Sequence, residues 1–223
     1  MTLINVTTKL IALGACAMAA GCSVLSPQPD HSRFFILTPI SDSGGTAAKL
    51  VSASPDSRLT LGLGPVGFPD YLRRLPVVTR VASNQIKLSD EKRWAEPLDK
   101  NFTRVLSENL ATLLETHRIE KYPWPLRTKV DYEIEIEVQR FEATSDGQTQ
   151  LIASWIIRDG PSNKILYASQ TTAGAPAGPD ELSASSALSG DLATLSKDIA
   201  TRITELDQHR TTSSADATSA STP

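Results

Sequence analysis

Four carboxylates alternate with apolar residues along residues 130–138, and they are Asp131, Glu133, Glu135 and Glu137. A period of two is typical of a β-strand, so these acids are predicted to share one face of a strand. Such acids could bind a metal ion or act as the acid pair of a glycoside hydrolase. Neighbouring members are about 6.7 Å apart, which is too far for two of them to bind one ion readily. The pattern favours a sheet surface facing solvent or a partner, with a hydrolase using Glu133 or Glu135 as the alternative.

Both cysteines, Cys16 and Cys22, lie in or at the end of an uncharged run of apolar and small residues that follows Lys9. This arrangement is typical of a secretory signal, and the run is too short for a membrane span, which takes about 20 residues. A disulfide here would cross-link no folded domain, and no third ligand lies nearby to complete a metal site. The cysteines therefore indicate processing of the chain.

The sequence AAGC at residues 19–22 resembles a bacterial lipobox, whose cysteine receives lipid before the signal is removed. A similar LGAC ends at Cys16, but it leaves only six apolar residues after Lys9, whereas twelve precede Cys22. Signal segments usually have about 7 to 15 such residues. We therefore predict that Cys22 is the lipid attachment site, with cleavage before an unmodified Cys22 as the alternative. Ser23, in place of an aspartate after the cysteine, favours the outer membrane by the usual sorting pattern of bacterial lipoproteins.

Other motifs in the chain carry little chemistry. The glycines of GLGPVG, residues 62–67, are spaced as in the G-x-G-x-x-G motif that binds dinucleotides. Prolines interrupt the segment, however, and no helix is predicted after it, as that motif requires. The three histidines lie far apart in the sequence, and none is placed beside a nucleophile. We therefore expect no catalytic residue, no cofactor and no metal. Trp94 and Trp155 are predicted to be core residues, whereas Trp124, between two prolines, fits either the core or the surface.

Composition predicts one globular domain. The 223-residue chain is 40% hydrophobic and 21% charged, both in the globular range. Its net charge is −3 and its basic residues form no long run, which disfavours nucleic-acid binding. We expect a signal peptide at 1–21, a lipidated tether at 22–32, one domain at 33–207 and a disordered polar tail at 208–223.

Hydrophobic periodicity predicts seven strands and two helices. The strands are predicted at residues 33–37, 59–66, 76–81, 85–88, 130–141, 149–159 and 164–172. One helix is predicted over residues 96–117, and a second has an apolar face along residues 188–206. Residues 151–157 are apolar on both alternating faces, which predicts a central strand covered on both sides. This order predicts an α/β (mixed α+β) fold, with a single mixed sheet of about six to seven strands and two main helices packed on it.

The stretch PDYLRR, residues 69–74, interrupts two strands with an aromatic residue and a leucine beside two arginines. Such a turn can cap the core or form an interaction surface, and the sequence favours neither. The candidate partner interface consists of Pro69, Tyr71, Leu72, Arg73 and Arg74.

Taken in order, several segments resemble the ABC-type transport auxiliary lipoprotein family, of the PqiC and YmbA type. They are Cys22, RFFIL at 33–37, VGFPDYLRRLPVVTR at 66–80, RWAEPLDKNFTRVLSENLATLL at 93–114, the acidic strand, the strand containing Trp155 and the closing helix. The resemblance covers about residues 32–207. Its specificity lies in the ordered set, because no single segment is a catalytic signature.

The resemblance implies a non-enzymatic lipoprotein that is anchored in the outer membrane and faces the periplasm. Such a protein would be an auxiliary or docking component of an MCE-type ABC system that transports lipid between membranes. The implied partners are an MCE-domain protein, the associated inner-membrane permease components and the membrane itself through the N-terminal lipid. A homo-oligomeric ring around a tunnel fits the same role. The alternatives are an envelope assembly factor or pilot, and a cell-wall or sugar hydrolase.

Overall fold

A computed structural model of the protein describes residues 30–42, 59–125, 127–178 and 181–219. Within these ranges, eight strands form one mixed sheet and two α-helices pack on it, which confirms the predicted fold class. The strands are β1 (Arg33–Phe35), β2 (Leu61–Gly67), β3 (Pro76–Ala82), β4 (Gln85–Trp94), β5 (Ile119–Lys121), β6 (Tyr132–Thr144), β7 (Thr149–Asp159) and β8 (Ile165–Ala173). The helices are α1 (Leu98–Leu113) and α2 (Glu181–Ser219), and a 3-10 turn, Ile40–Asp42, follows β1. Neither α-helix, as far as these ranges describe it, is long and apolar enough to cross a membrane.

β6 is the 13-residue centre of the sheet. On one side it pairs with β7, which pairs with β8, and both pairings are antiparallel. On the other side two strands share its edge: β2 pairs in parallel with the first half of β6, and β3 pairs in parallel with its last residues. β5 extends the sheet beyond β2, and β4 and β1 extend it beyond β3. The connection from β2 to β3 therefore lies at the middle of β6.

The inner face of the sheet and both helices bury one continuous core. Phe102 of α1 meets Phe68 and Phe141 edge-on, with ring centroids 5.1 and 5.2 Å apart, which is a favourable geometry for aromatic pairs. Trp94 and Trp155 are each 4% exposed. Both tryptophans are core residues, as predicted.

β7 is internal to the sheet, as predicted, but only one of its faces is buried. Leu151, Trp155 and Ile157 belong to the core that the helices share. Ile152 and Ile156, on the opposite face, are half-buried. The predicted cover on both faces is therefore wrong. On this face Ile152 and Ile156 are flanked by their cross-strand neighbours on β6 and β8.

Two buried asparagines of α1 hold the chain that follows β1. The Asn101 side-chain oxygen accepts a 2.8 Å hydrogen bond from the Leu37 N–H, and the Asn109 side-chain oxygen accepts a 2.8 Å bond from the Ile40 N–H. The Asn109 amide also donates to the Ser196 hydroxyl of α2 at 3.0 Å. Buried backbone N–H groups need such partners. These bonds fix residues 37–40 against both helices.

α2 is longer than the sequence predicts. Composition after Gln208 predicts a disordered tail, but the helix continues to Ser219. The Arg210 guanidinium lies 3.2 Å from the Asp131 carboxylate and stacks over the Tyr132 ring, 4.9 Å from its centroid. These contacts with the start of β6 stabilise the helix beyond the point where apolar periodicity ends, and periodicity alone cannot reveal them.

Candidate functional site

The β2–β3 turn, residues 68–75, crosses the edge of β6 that lies between the two parallel pairings. It begins with a tight turn in which the Leu72 N–H donates to the Pro69 carbonyl at 3.0 Å and the Arg73 N–H donates to the Asp70 carbonyl at 3.2 Å. This turn sends Leu72 inward, where it is 1% exposed. Leu72 therefore has to be removed from the candidate partner interface, because its side chain is not accessible to a partner.

Tyr71 ties the same turn to β6 through a buried carboxylate. Its hydroxyl donates to Glu142 at 2.7 Å, and the Arg80 Nε donates to the other Glu142 oxygen at 2.5 Å. Glu142 is 1% exposed. Burial, together with the neighbouring Glu142, raises the pKa of Tyr71 to about 12, so the hydroxyl stays protonated and can keep donating. The Tyr71–Arg80–Glu142 cluster makes the turn a rigid part of the sheet.

The outer part of the turn is exposed and basic. Arg73 is half exposed and lies 3.8 Å from the almost fully exposed carboxylate of Asp70. Arg74 is exposed, and Pro69 is half-buried. An exposed pair such as Arg73 with Asp70 contributes little to stability. Arg73 and Arg74 are thus presented on a fixed backbone, an arrangement suited to binding without chemistry.

The acidic strand does not form one continuous carboxylate site. The Asp131 carboxylate accepts a 2.8 Å bond from the Thr60 N–H and pairs with Arg210, so it holds structural elements together. Glu135 pairs with Arg158 of β7 at 2.7 Å. Among the residues that the structure describes, no group of three or more His, Cys, Asp or Glu side chains is placed to hold a metal ion.

Glu133 and Glu137 complete this face of β6. Glu137 is exposed, and Glu133 is half-buried. Burial first, and the charge of Glu135 second, raise the pKa of Glu133. The acids lie in one row on one strand, so they present a charged surface and do not face each other across a cleft as the acid pair of a hydrolase would.

Replacing Glu133 by glutamine is expected to raise the melting temperature at neutral and alkaline pH only. Because its pKa is raised in the folded chain, the folded state binds this proton more tightly than the unfolded state. Ionisation therefore lowers stability as the pH rises from the ordinary glutamate pKa through the raised one. Thermal melts at about pH 4 and about pH 8 measure the difference, with the exposed Glu137→Gln as control. An equal change in the melting temperature of the Glu133 variant at both pH values would contradict the raised pKa of Glu133.

The glycines of residues 62–67 serve close packing within the sheet. A Cβ at Gly64 would lie 2.9 Å from the Ile134 carbonyl oxygen, and one at Gly67 would overlap the Glu137 carboxylate. β2 contains all three glycines and is followed by the β2–β3 turn and β3. The segment lacks the helix N-terminus that a dinucleotide motif uses to hold pyrophosphate.

The remaining candidate positions lie elsewhere. Cys16 and Cys22 are outside the described residues, so the lipid attachment site stays a prediction. Trp124 is half-buried and packs edge-on against Tyr122, with ring centroids 5.8 Å apart. Sequence reasoning missed Arg80 and Glu142, which hold the candidate turn in place. A pairing between residues so distant in the chain has no local sequence signal.

A family model described as "ABC-type transport auxiliary lipoprotein component" matches residues 43–200. The intermembrane transport lipoprotein PqiC of Escherichia coli K12 is 27% identical over 143 residues, covering 64% of this chain and 70% of that protein. PqiC of Shigella flexneri matches to the same extent.

Two crystal structures have a similar fold. One is a protein of Xanthomonas campestris, with a TM-score of 0.61 and 14% identity, covering 80% of this chain and 99% of that one. The other is an uncharacterized protein, with a TM-score of 0.60 and 19% identity, covering 77% of this chain and 98% of that one. These likenesses concern the fold alone.

Proposed function

Since this chain belongs to the ABC-type transport auxiliary lipoprotein family, we propose that it is a non-enzymatic docking component of an MCE-type lipid transport system. The family match over residues 43–200 is the observation that carries the proposal. In this role the domain binds the outer end of an MCE-domain assembly whose permease lies in the inner membrane. Its task is to position the end of a shielded route for lipid.

The anchor in this proposal is lipid on Cys22, which holds the domain at the periplasmic side of the outer membrane. More than one acyl chain is needed for stable membrane attachment. The intact mass of the mature N-terminal peptide tests the anchor: it should begin at residue 22 and carry diacylglycerol and an N-acyl chain. An unmodified Cys22, or a mature chain that begins elsewhere, would remove the anchor from the proposal. Fractionation of outer and inner membranes tests the location.

The docking surface in this proposal is the exposed part of the β2–β3 turn. The Tyr71–Arg80–Glu142 cluster holds the turn fixed, so little ordering is required when a partner binds. Arg73 and Arg74 offer two cations on this rigid turn, which suits an acidic patch on the partner. Several copies in a ring would present these cations repeatedly around the end of a tunnel, and the mass of the complex in detergent tests this part.

Reversing both charges, with Arg73→Glu and Arg74→Glu together, is expected to reduce partner recovery about tenfold, which corresponds to about 1.4 kcal/mol of binding free energy. Affinity capture of the full-length protein from membranes, followed by mass spectrometry, measures the recovery of MCE-domain and permease subunits. The melting temperature should stay unchanged, because both side chains are exposed.

A matched control reverses two exposed cations outside the β2–β3 turn and the strands next to it, with Lys164→Glu and Lys197→Glu together. This control should recover the same partners as the unaltered chain. Recovery of a secretin in place of MCE and permease subunits would favour the assembly-factor alternative. Equal losses in both double variants would show that overall charge, and not the turn, controls recovery.

A further inference from the structure

A cavity of about 540 Å³ lies between the β3–β4 hairpin and the N-terminal end of α2. Its volume falls within the range of roughly 300–1,000 Å³ that is typical of small-ligand sites. None of its lining residues belongs to the β2–β3 turn. The lining includes Ala143 and Thr144 from the end of β6, but none of the acidic residues 131–137.

The two sides of the cavity differ in side-chain size. The hairpin contributes Val77, Val81 and the largely buried Trp94, whereas the opposite side contributes Ala177 and Ala184. Protein interiors are normally packed without voids of this size, because facing side chains interdigitate. Here small residues face large apolar ones, so a space stays open that is lined mainly by apolar surface. The lining also includes five hydroxyl side chains, Thr79, Ser89, Thr144, Ser145 and Ser185. Because the apolar surface exceeds the polar surface, the cavity can hold a hydrocarbon chain, and the hydroxyl groups can bond a polar group attached to that chain.

The opening of the cavity is charged. Lys87, Asp90 and Glu91 are exposed members of its lining, and Lys92 is a half-buried one. All four come from β4, so cationic and anionic groups border one entrance to an apolar interior. Such an entrance matches a head group that carries both a phosphate and an ammonium group.

We infer that this cavity binds one acyl chain of a phospholipid with a zwitterionic head group of the ethanolamine type. The chain lies between the hairpin and α2, the phosphate faces the lysines, and the ammonium faces the carboxylates. The choice of a lipid rests on the proposed function, but the site needs no partner protein. Its test can therefore fail while partner capture succeeds, and the reverse also holds.

The test uses the full-length chain purified in a non-ionic maltoside detergent. The probe is lysophosphatidylethanolamine with a diazirine near the end of its acyl chain, and labelled peptides are identified by mass spectrometry after irradiation. Labelling is expected on peptides from β3, β4 and the first turns of α2. Ala184→Phe fills the cavity and should reduce this labelling at least tenfold, whereas Ala168→Phe, at an exposed position on β8, should leave it unchanged.

A second variant, Val81→Phe, fills the cavity from the hairpin side and keeps the test valid if Ala184→Phe does not fold. Unlabelled lysophosphatidylethanolamine should compete at lower concentration than palmitate, which has the same kind of chain but neither the phosphate nor the ammonium group. Labelling confined to other parts of the chain, or labelling unaffected by both filling variants, would overturn the site. Equal competition by palmitate would overturn the assigned head group.

Discussion

Replacing Leu72 by alanine is expected to lower the free energy of unfolding by about 3 kcal/mol, since Leu-to-Ala changes in a core cost about 2–5 kcal/mol. The side chain is 1% exposed and belongs to the core cluster that contains Phe68 and Phe102. Its removal leaves a cavity that the packed sheet and helix can only partly close. For a chain of this size, the melting temperature should fall by roughly 2–4 °C per kcal/mol.

Urea unfolding of Leu72→Ala, beside Arg73→Ala as the exposed neighbour, measures this effect. The Arg73 variant should unfold at nearly the same urea concentration as the unaltered chain, because its side chain is half exposed. Comparison of these two variants thus distinguishes the two roles that the sequence allows for this turn, capping of the core and binding of a partner. Full stability of Leu72→Ala, combined with lost partner recovery, would return Leu72 to the interface.

Replacing Glu142 by alanine is expected to cost about 3–5 kcal/mol, the usual cost of breaking a buried ion pair by removing one partner. The Glu142 side chain has no exposed surface, and that of Arg80 is 15% exposed. Without the carboxylate, the Arg80 guanidinium loses its charged partner and keeps only neutral ones, the Ser83 carbonyl and the Tyr71 hydroxyl, in a site that water barely reaches.

A double-mutant cycle shows whether the loss comes from the pair or from packing. Arg80→Met combined with Glu142→Leu should be less destabilised than either single variant, because the double variant leaves no buried charge. Tyr71→Phe should cost about 1.5–3 kcal/mol, since its hydroxyl bonds a charged group. A loss below about 1 kcal/mol for Glu142→Ala would mean that water or another side chain replaces the carboxylate.

Much of the fold could be predicted from local sequence patterns. The helix with apolar residues between Leu98 and Leu113 and the alternating strand from Tyr132 have strong periodicity, because each buries one face against the core. β5 was not predicted, because a three-residue strand is too short to show a period. It exists through pairing with β2, where Leu61 lies opposite Ile119.

The candidate site shows the limit of sequence reasoning more sharply. The turn at residues 69–74 was recognised, but its inward and outward side chains could not be separated. That separation depends on Tyr71 meeting Glu142, which lies 71 positions further along the chain. The asparagines of α1 were likewise missed, because their partners are backbone groups of residues far away in sequence.

The bonds that Asn101 and Asn109 make with residues 37–40 have a mechanical consequence. β1 is a three-residue strand at the edge of the sheet, bound only to β4 among the described strands. Tension on the N-terminus therefore detaches β1 from the sheet first. The detachment stops at residues 37–40, which the asparagines hold. Each residue released adds about 3.3–3.6 Å of reach. Release of the three residues of β1 therefore adds about 10 Å of extended chain ahead of the segment that the asparagines hold, and it removes Phe35 from its contact with the core.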